Sequence, residues 1–240
     1  MHSYNRKTRS LDFAFLAALS ATAMGALPLA GQFADTTPWK ISVGQVSSAL
    51  GALSIGLIPT IFGINDDLPT CAPCDPATLP GIDRWVVSTE RTGWGVASGA
   101  AVLGLAGVTW YELNQPSNGN AHVAASLEAT MWTFGVNQLA KALINRNRPV
   151  LYSRDAIEAR RSVNSHRSMY SAHTSASFAM GVSYFLSMSH KKGFDRSWPI
   201  ISAAGIGAMR LAAAKHFPTD VVVGAVLGTA TAILVHQVRF

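Results

Sequence analysis

Residues 217–238 read FPTDVVVGAVLGTATAILVHQV, and after Asp220 no Asp, Glu, Lys or Arg interrupts the chain before Arg239. A helix needs about 20 predominantly apolar residues to cross a bilayer, and this stretch is long enough to do so. Pro218 would stand in its first turn, where the missing N–H costs little. Working back along the chain, further apolar stretches occur at Trp198–Ala214, Thr174–Met188, Ala121–Ala140, Gly93–Tyr111 and Ile41–Gly63. All are rich in glycine, alanine and serine, which let membrane helices approach closely where lipid supplies little hydrophobic drive. The expected fold class is therefore all-α, a multi-helix transmembrane bundle of about six spans. Polar residues interrupt two stretches: Gln45, Ser47, Ser48 and Ser54 in one, Glu128, Asn137 and Gln138 in another. A soluble all-helical enzyme with buried alanine-rich helices would share this pattern.

Composition points the same way. Of 240 residues, 49% are hydrophobic and 13% charged, against about 25% charged in average soluble chains. The formal net charge is +6, but the basic residues sit between apolar stretches without an aromatic-rich surface, so nucleic acid is not the expected partner. Anionic phosphate or anionic lipid is. Arg6, Lys7 and Arg9 precede the apolar run Leu11–Ala30, and residues 1–30 read as a signal peptide or N-terminal anchor. Residues 31–240 read as one domain, because no polar or Pro/Ser-rich linker divides them. The two cysteines, Cys71 and Cys74, lack the further ligands a zinc site needs. A short disulfide on an oxidising face is the preferred reading, with a redox pair or two free thiols as alternatives.

Three clusters carry chemistry. Lys141 and Arg148 are seven residues apart at the end of an apolar stretch, close to two helical turns, and Pro149 helps end the helix. Their charges can converge on one anion, although a basic membrane-border flank would look alike. Next come Ser171, Ala172 and His173 at the start of an apolar stretch. A hydroxyl, free backbone amides and an imidazole at a helix start suit an anion, while a serine there is also a common helix cap. The third cluster holds Arg210, His216 and Asp220. One helical turn separates His216 from Asp220, so Asp220 can hydrogen-bond one ring nitrogen and leave the other as a nucleophile. Cations around the phosphate oxygens, an oriented nucleophile and a second histidine for the leaving group are what phosphoryl transfer requires.

In order and spacing the clusters resemble the three signatures of the type 2 phosphatidic acid phosphatase superfamily: Lys-x6-Arg-Pro, Pro-Ser-Gly-His and Ser-Arg-x5-His-x3-Asp. The resemblance runs from about Ala121 to the C-terminus. It implies that Lys141, Arg148 and Arg210 bind phosphate, with Ser171 adding a hydroxyl and Ala172 an amide. His216 would attack phosphorus to form phosphohistidine, Asp220 would orient it, and His173 would protonate the leaving oxygen and then activate water. No cofactor or metal is implied. Three positions depart from the pattern: Tyr170, Ala172 and Met209 replace proline, glycine and serine. Alanine retains the amide but disfavours positive φ.

The expected activity is hydrolysis of a phosphomonoester or pyrophosphate, the substrate a lipid phosphate or another phosphate ester in contact with membrane lipids. The alternatives are a periplasmic acid phosphatase on soluble esters, a vanadate-binding haloperoxidase relative, and a non-catalytic membrane protein with a vestigial site. The three clusters fall on one membrane face, together with Cys71 and Cys74. His190, Lys191, Lys192 and Arg239 fall on the other and favour the cytoplasm. The expected location is a bacterial inner membrane, multi-pass, with the active site facing the periplasm or exterior. That orientation requires only one of Leu11–Ala30 and Ile41–Gly63 to cross if the N-terminus starts inside. The basic segment Arg154–Arg167 opposes it unless those charges serve the site entrance.

Overall fold

Several of the long helices begin or end at a sequence feature with a physical reason. A computed structural model describes residues 42–64, 67–115 and 120–240; the expected leader or anchor, residues 1–30, lies outside them. Helix α1, Val43–Ile61, opens on a capping box in which the Ser42 hydroxyl accepts from the Gln45 amide at 3.1 Å and the Gln45 side chain accepts from the Ser42 amide. Helix α2 is Thr92–Leu113 and α3 is Asn120–Ile144. Asn145, at φ 54°, stops α3 in the left-handed conformation that asparagine tolerates. Ser171 caps α4, Ala172–Ser187, and Gly193, at φ 55°, precedes α5, Phe194–Ala212. Pro218 occupies the first position of α6, Pro218–Arg239, as its preset φ favours.

The described residues contain no strand, so the all-α class stands. Among the described residues three helices, α1, α2 and α6, are long and apolar enough to cross a membrane. Large apolar side chains remain exposed along them, including Leu57, Leu103, Val222 and Val226, as a lipid-facing surface requires.

Small residues set the helix contacts. Trp132 of α3 donates to the Ser48 hydroxyl of α1 at 2.8 Å, and a Cβ on Gly135 would collide with the Ala52 backbone. Helices α1 and α3 therefore run side by side in the same direction. Helices α4 and α6 do likewise: a Cβ on Gly224 would lie 2.9 Å from the Ser171 carbonyl oxygen, and one on Gly228 would strike Ser175. Helix α5 runs against α4, with Gly181 on Pro199 and Gly207 on Thr174. The ends of α3 and α5 thus meet the starts of α4 and α6. At the opposite end, Glu112 accepts from both Tyr184 and Lys191, and Arg239 forks onto Glu128 at 2.8 and 2.6 Å.

The segment between α1 and α2 lies on the side of the four converging helix ends. Cys71 and Cys74 form a disulfide, the Cys74 amide donates to the Leu151 carbonyl at 2.8 Å, and the Asn147 side-chain amide approaches both sulfurs.

Candidate active site

Lys141 stands in the last turn of α3 and Arg210 in the last turn of α5. Arg148 does not share the α3 face with Lys141, contrary to the helical reading of their spacing. The helix stops at Ile144, and Arg148 is carried on the following loop, its amide bonded to the Ser165 carbonyl at 2.7 Å. The loop nevertheless returns it to the site, where Lys141, Arg148 and Arg210 lie close enough to repel one another. Burial and repulsion make three adjacent cations costly unless a negative charge offsets them.

Two details bear on what these cations could hold. The Nε atoms of Arg148 and Arg210 are buried and have no hydrogen-bond partner among the described residues. Such a group forfeits its hydration without compensation unless a ligand supplies the acceptor. Ser98 of α2 accepts from Nη1 of Arg210 at 2.9 Å and itself donates to the Gly95 carbonyl at 2.8 Å, fixing the guanidinium plane.

Ser171 is fully buried and caps α4, accepting from the Thr174 amide at 3.4 Å and the Thr174 hydroxyl at 2.9 Å. Its own proton remains available to donate. Ala172 supplies the first residue of α4, whose leading amides have no acceptor within the helix. Tyr170 is held from α3: Asn137 donates to its carbonyl at 2.6 Å, and its phenol donates to the Thr133 carbonyl at 3.4 Å. Asn137 thus anchors the chain just before the Ser171 cap. His173, in the first turn of α4, faces Gly99 of α2, where an added Cβ would lie 3.9 Å from Nε2. It lies within electrostatic reach of Arg210, Lys141 and Arg148.

His216 occupies the connection between α5 and α6 and is 1% exposed. Its Nδ1 lies 2.9 Å from the Ser168 carbonyl oxygen. A carbonyl can only accept, so Nδ1 carries the proton and Nε2 keeps its lone pair. Asp220 Oδ2 is 3.7 Å from Nδ1, outside hydrogen-bond distance. The direct bond to Asp220 expected from the one-turn spacing is therefore replaced by a bond to a backbone carbonyl. Asp220, also fully buried, receives the Ser168 hydroxyl at 2.6 Å and the Phe217 amide at 2.9 Å on Oδ2, and Arg146 on Oδ1. It positions His216 through Ser168 and acts on the ring by charge. Burial pulls the His216 pKa down to about 3 against the pull of Asp220, leaving the imidazole neutral, the form that can attack phosphorus.

Sequence reasoning missed Ser98, Asn137, Arg146 and Ser168. Arg146, two residues before Arg148, was visible as a charge but not as a partner of Asp220. Nothing in the pattern marked Ser168, whose carbonyl does the work.

A cleft of about 470 Å³, lined by Arg148, Glu90, Lys215, Glu158 and Asn164 among others, adjoins these groups. Glu90 pairs with Lys215 there. Among the described residues no group of three or more His, Cys, Asp or Glu is placed to hold a metal ion.

Comparison with curated proteins and with solved structures finds no match. The family comparison does: residues 122–240, which carry the three cation positions, both histidines and Asp220, match the PAP2 superfamily, and the chain belongs to that superfamily.

Proposed function

We propose that the protein is a membrane phosphatase that hydrolyses a lipid phosphate through a phosphohistidine intermediate, without a metal ion. Membership of the PAP2 superfamily supports a phosphatase in general. The observation that carries the reading is the pair of buried, unpartnered Nε atoms of Arg148 and Arg210 beside a neutral His216 whose Nδ1 is committed to a carbonyl. Phosphate would bind Lys141, Arg148 and Arg210, with the Ser171 hydroxyl and the first amides of α4 completing the cradle. His216 Nε2 attacks phosphorus as the ester P–O bond breaks, and His173, protonated once the charge of the bound phosphate offsets the cations around it, gives that proton to the departing oxygen. His173 then takes a proton from water, whose oxygen attacks the phosphohistidine; the P–N bond breaks, and phosphate and free His216 result. The cations supply the electrostatic stabilisation that a metal supplies elsewhere.

A second observation supports a lipid. An apolar groove of about 450 Å³ runs between α2 and α5, lined by Ala101, Gly104, Val108, Trp198, Gly205 and Met209 among others. One end of the groove lies at the level of Arg210 along the helices, since Met209 precedes Arg210 and Ala101 lies one turn from Ser98. An acyl or prenyl chain laid there would place its phosphate at Arg210. A soluble ester would leave the groove unused.

The orientation we propose puts the site on the periplasmic or outer face of a bacterial inner membrane, with Lys191, Lys192 and Arg239 toward the cytoplasm. The disulfide on the site side accords with an oxidising compartment.

The test is phosphate release by purified protein in excess EDTA from long-chain phosphatidic acid, an isoprenyl diphosphate and p-nitrophenyl phosphate. Release from a long-chain lipid that exceeds release from the soluble ester supports the reading. Release only from the soluble ester removes the lipid assignment, and release restored by a divalent ion removes the metal-free mechanism.

A further inference from the structure

The segment before α2 contributes a buried carboxylate to the catalytic end of the bundle. Asp83, on the helical turn Gly81–Arg84, is 0% exposed. It lies outside the residues that match the superfamily. Its Oδ1 accepts from the Thr219 amide at 3.2 Å, and its Oδ2 accepts from the Thr219 hydroxyl at 2.8 Å and from Arg146 Nη2 at 2.6 Å. The other arm of the same guanidinium, Nη1, reaches the Thr219 hydroxyl at 2.7 Å and Asp220 Oδ1. The Arg146 guanidinium also lies over the Phe217 ring, 4.6 Å from its centre. One cation is thus held between two fully buried carboxylates from different parts of the chain.

Three physical consequences follow. Thr219 is the second residue of α6, and its amide is one of those a helix leaves without an internal acceptor. Asp83 fills that role from outside the helix, with its charge at the positive end of the helix dipole. It also divides Arg146 between two carboxylates. Without Asp83 the whole guanidinium charge would fall to Asp220, weakening the negative field that Asp220 casts on His216 across 3.7 Å. Finally, Phe217 and Thr219 closely follow His216 in the chain, and Arg146 packs on both, so Asp83 steadies the backbone on which His216 sits.

We infer that Asp83 is a positioning residue for the phosphatase reaction, acting through Arg146 and Thr219 on Asp220 and His216. The inference rests on the phosphatase reading above. None of the contacts of Asp83 involves Lys141, Arg148 or Arg210, so its loss would leave phosphate binding intact and slow the chemical step.

The experiment measures kcat and KM of the full-length protein on p-nitrophenyl phosphate and dioctanoyl phosphatidic acid for wild type, Asp83→Asn and Thr219→Val, with thermal unfolding as a check on folding. Asp83→Asn keeps the shape and removes the charge; Thr219→Val keeps the amide and removes the hydroxyl shared by Asp83 and Arg146. The expected result is a kcat lower by roughly tenfold or more for Asp83→Asn at unchanged KM on both substrates, and a smaller fall in the same direction for Thr219→Val. If Asp83→Asn does not fold, Thr219→Val decides: a lower kcat at unchanged KM supports the inference. Wild-type kcat in a folded variant, or a change confined to KM, overturns it. A wild-type protein that releases phosphate from neither probe overturns the phosphatase reading instead.

Discussion

Ser168→Ala separates the two ways in which Ser168 acts on His216, the proposed nucleophile. Its hydroxyl donates to Asp220 at 2.6 Å and its carbonyl accepts from His216 at 2.9 Å; alanine deletes the first and keeps the second. The lost bond is charge-assisted and wholly buried, a type that contributes about 1.5–3 kcal/mol. Asp220 Oδ2 would retain the Phe217 amide and Oδ1 would retain Arg146, so the carboxylate stays anchored. For a chain of this size each kcal/mol moves Tm by about 2–4 °C, and Tm should fall by about 3–12 °C. Because the carbonyl still holds Nδ1–H, the attacking tautomer survives, and kcat should drop by no more than about tenfold. His216→Ala should cost roughly a thousandfold or more. The assay pairs thermal unfolding of the purified protein with phosphate release. A folded Ser168→Ala as inactive as His216→Ala would show that the hydroxyl, not the carbonyl, orients the ring. An unchanged Tm would show that Asp220 does not depend on that hydroxyl.

Three more outcomes are expected. His216 has a folded pKa of about 3 against an ordinary value of 6.5, so the unfolded chain binds the extra proton; Tm should therefore decline as pH falls from about 6.5 toward 3, and His216→Asn should flatten that slope. Identical slopes for the two proteins would refute the burial argument. Gly205→Leu projects a side chain into open space beside the groove and should raise KM for a long-chain lipid phosphate several-fold relative to p-nitrophenyl phosphate; an unchanged ratio would empty the groove of its proposed role. In intact cells lacking Cys71 and Cys74, a cysteine at Lys192 should resist an impermeant thiol reagent while one at Arg154 reacts, with disrupted membranes as the reactivity control. The reverse pattern would place the site in the cytoplasm.

The candidate site was legible because charge is rare and expensive in this chain. Lys141, Arg148, Arg210, His216 and Asp220 interrupt apolar sequence, and the cost of placing them there requires a compensating role. Helix starts were legible for a related reason: Pro218 and Ser171 mark ends that hydrophobic runs alone leave vague. Geometry within the site was not. A spacing of seven is satisfied by two turns of helix or by a helix stopped at Ile144 and a returning loop, and only the left-handed Asn145 distinguishes them. A spacing of four between His216 and Asp220 likewise permits a hydrogen bond without requiring one. The bond went to the Ser168 carbonyl instead, and every residue has a carbonyl, so no residue type could announce it. Asp83 was invisible for a third reason. Its partners Arg146 and Thr219 are far along the chain, and a single acidic residue in a loop is ordinarily solvated. What identifies it is complete burial with three donors in place, an arrangement that exists only once the segment around Cys71 and Cys74 has docked on the converging helix ends.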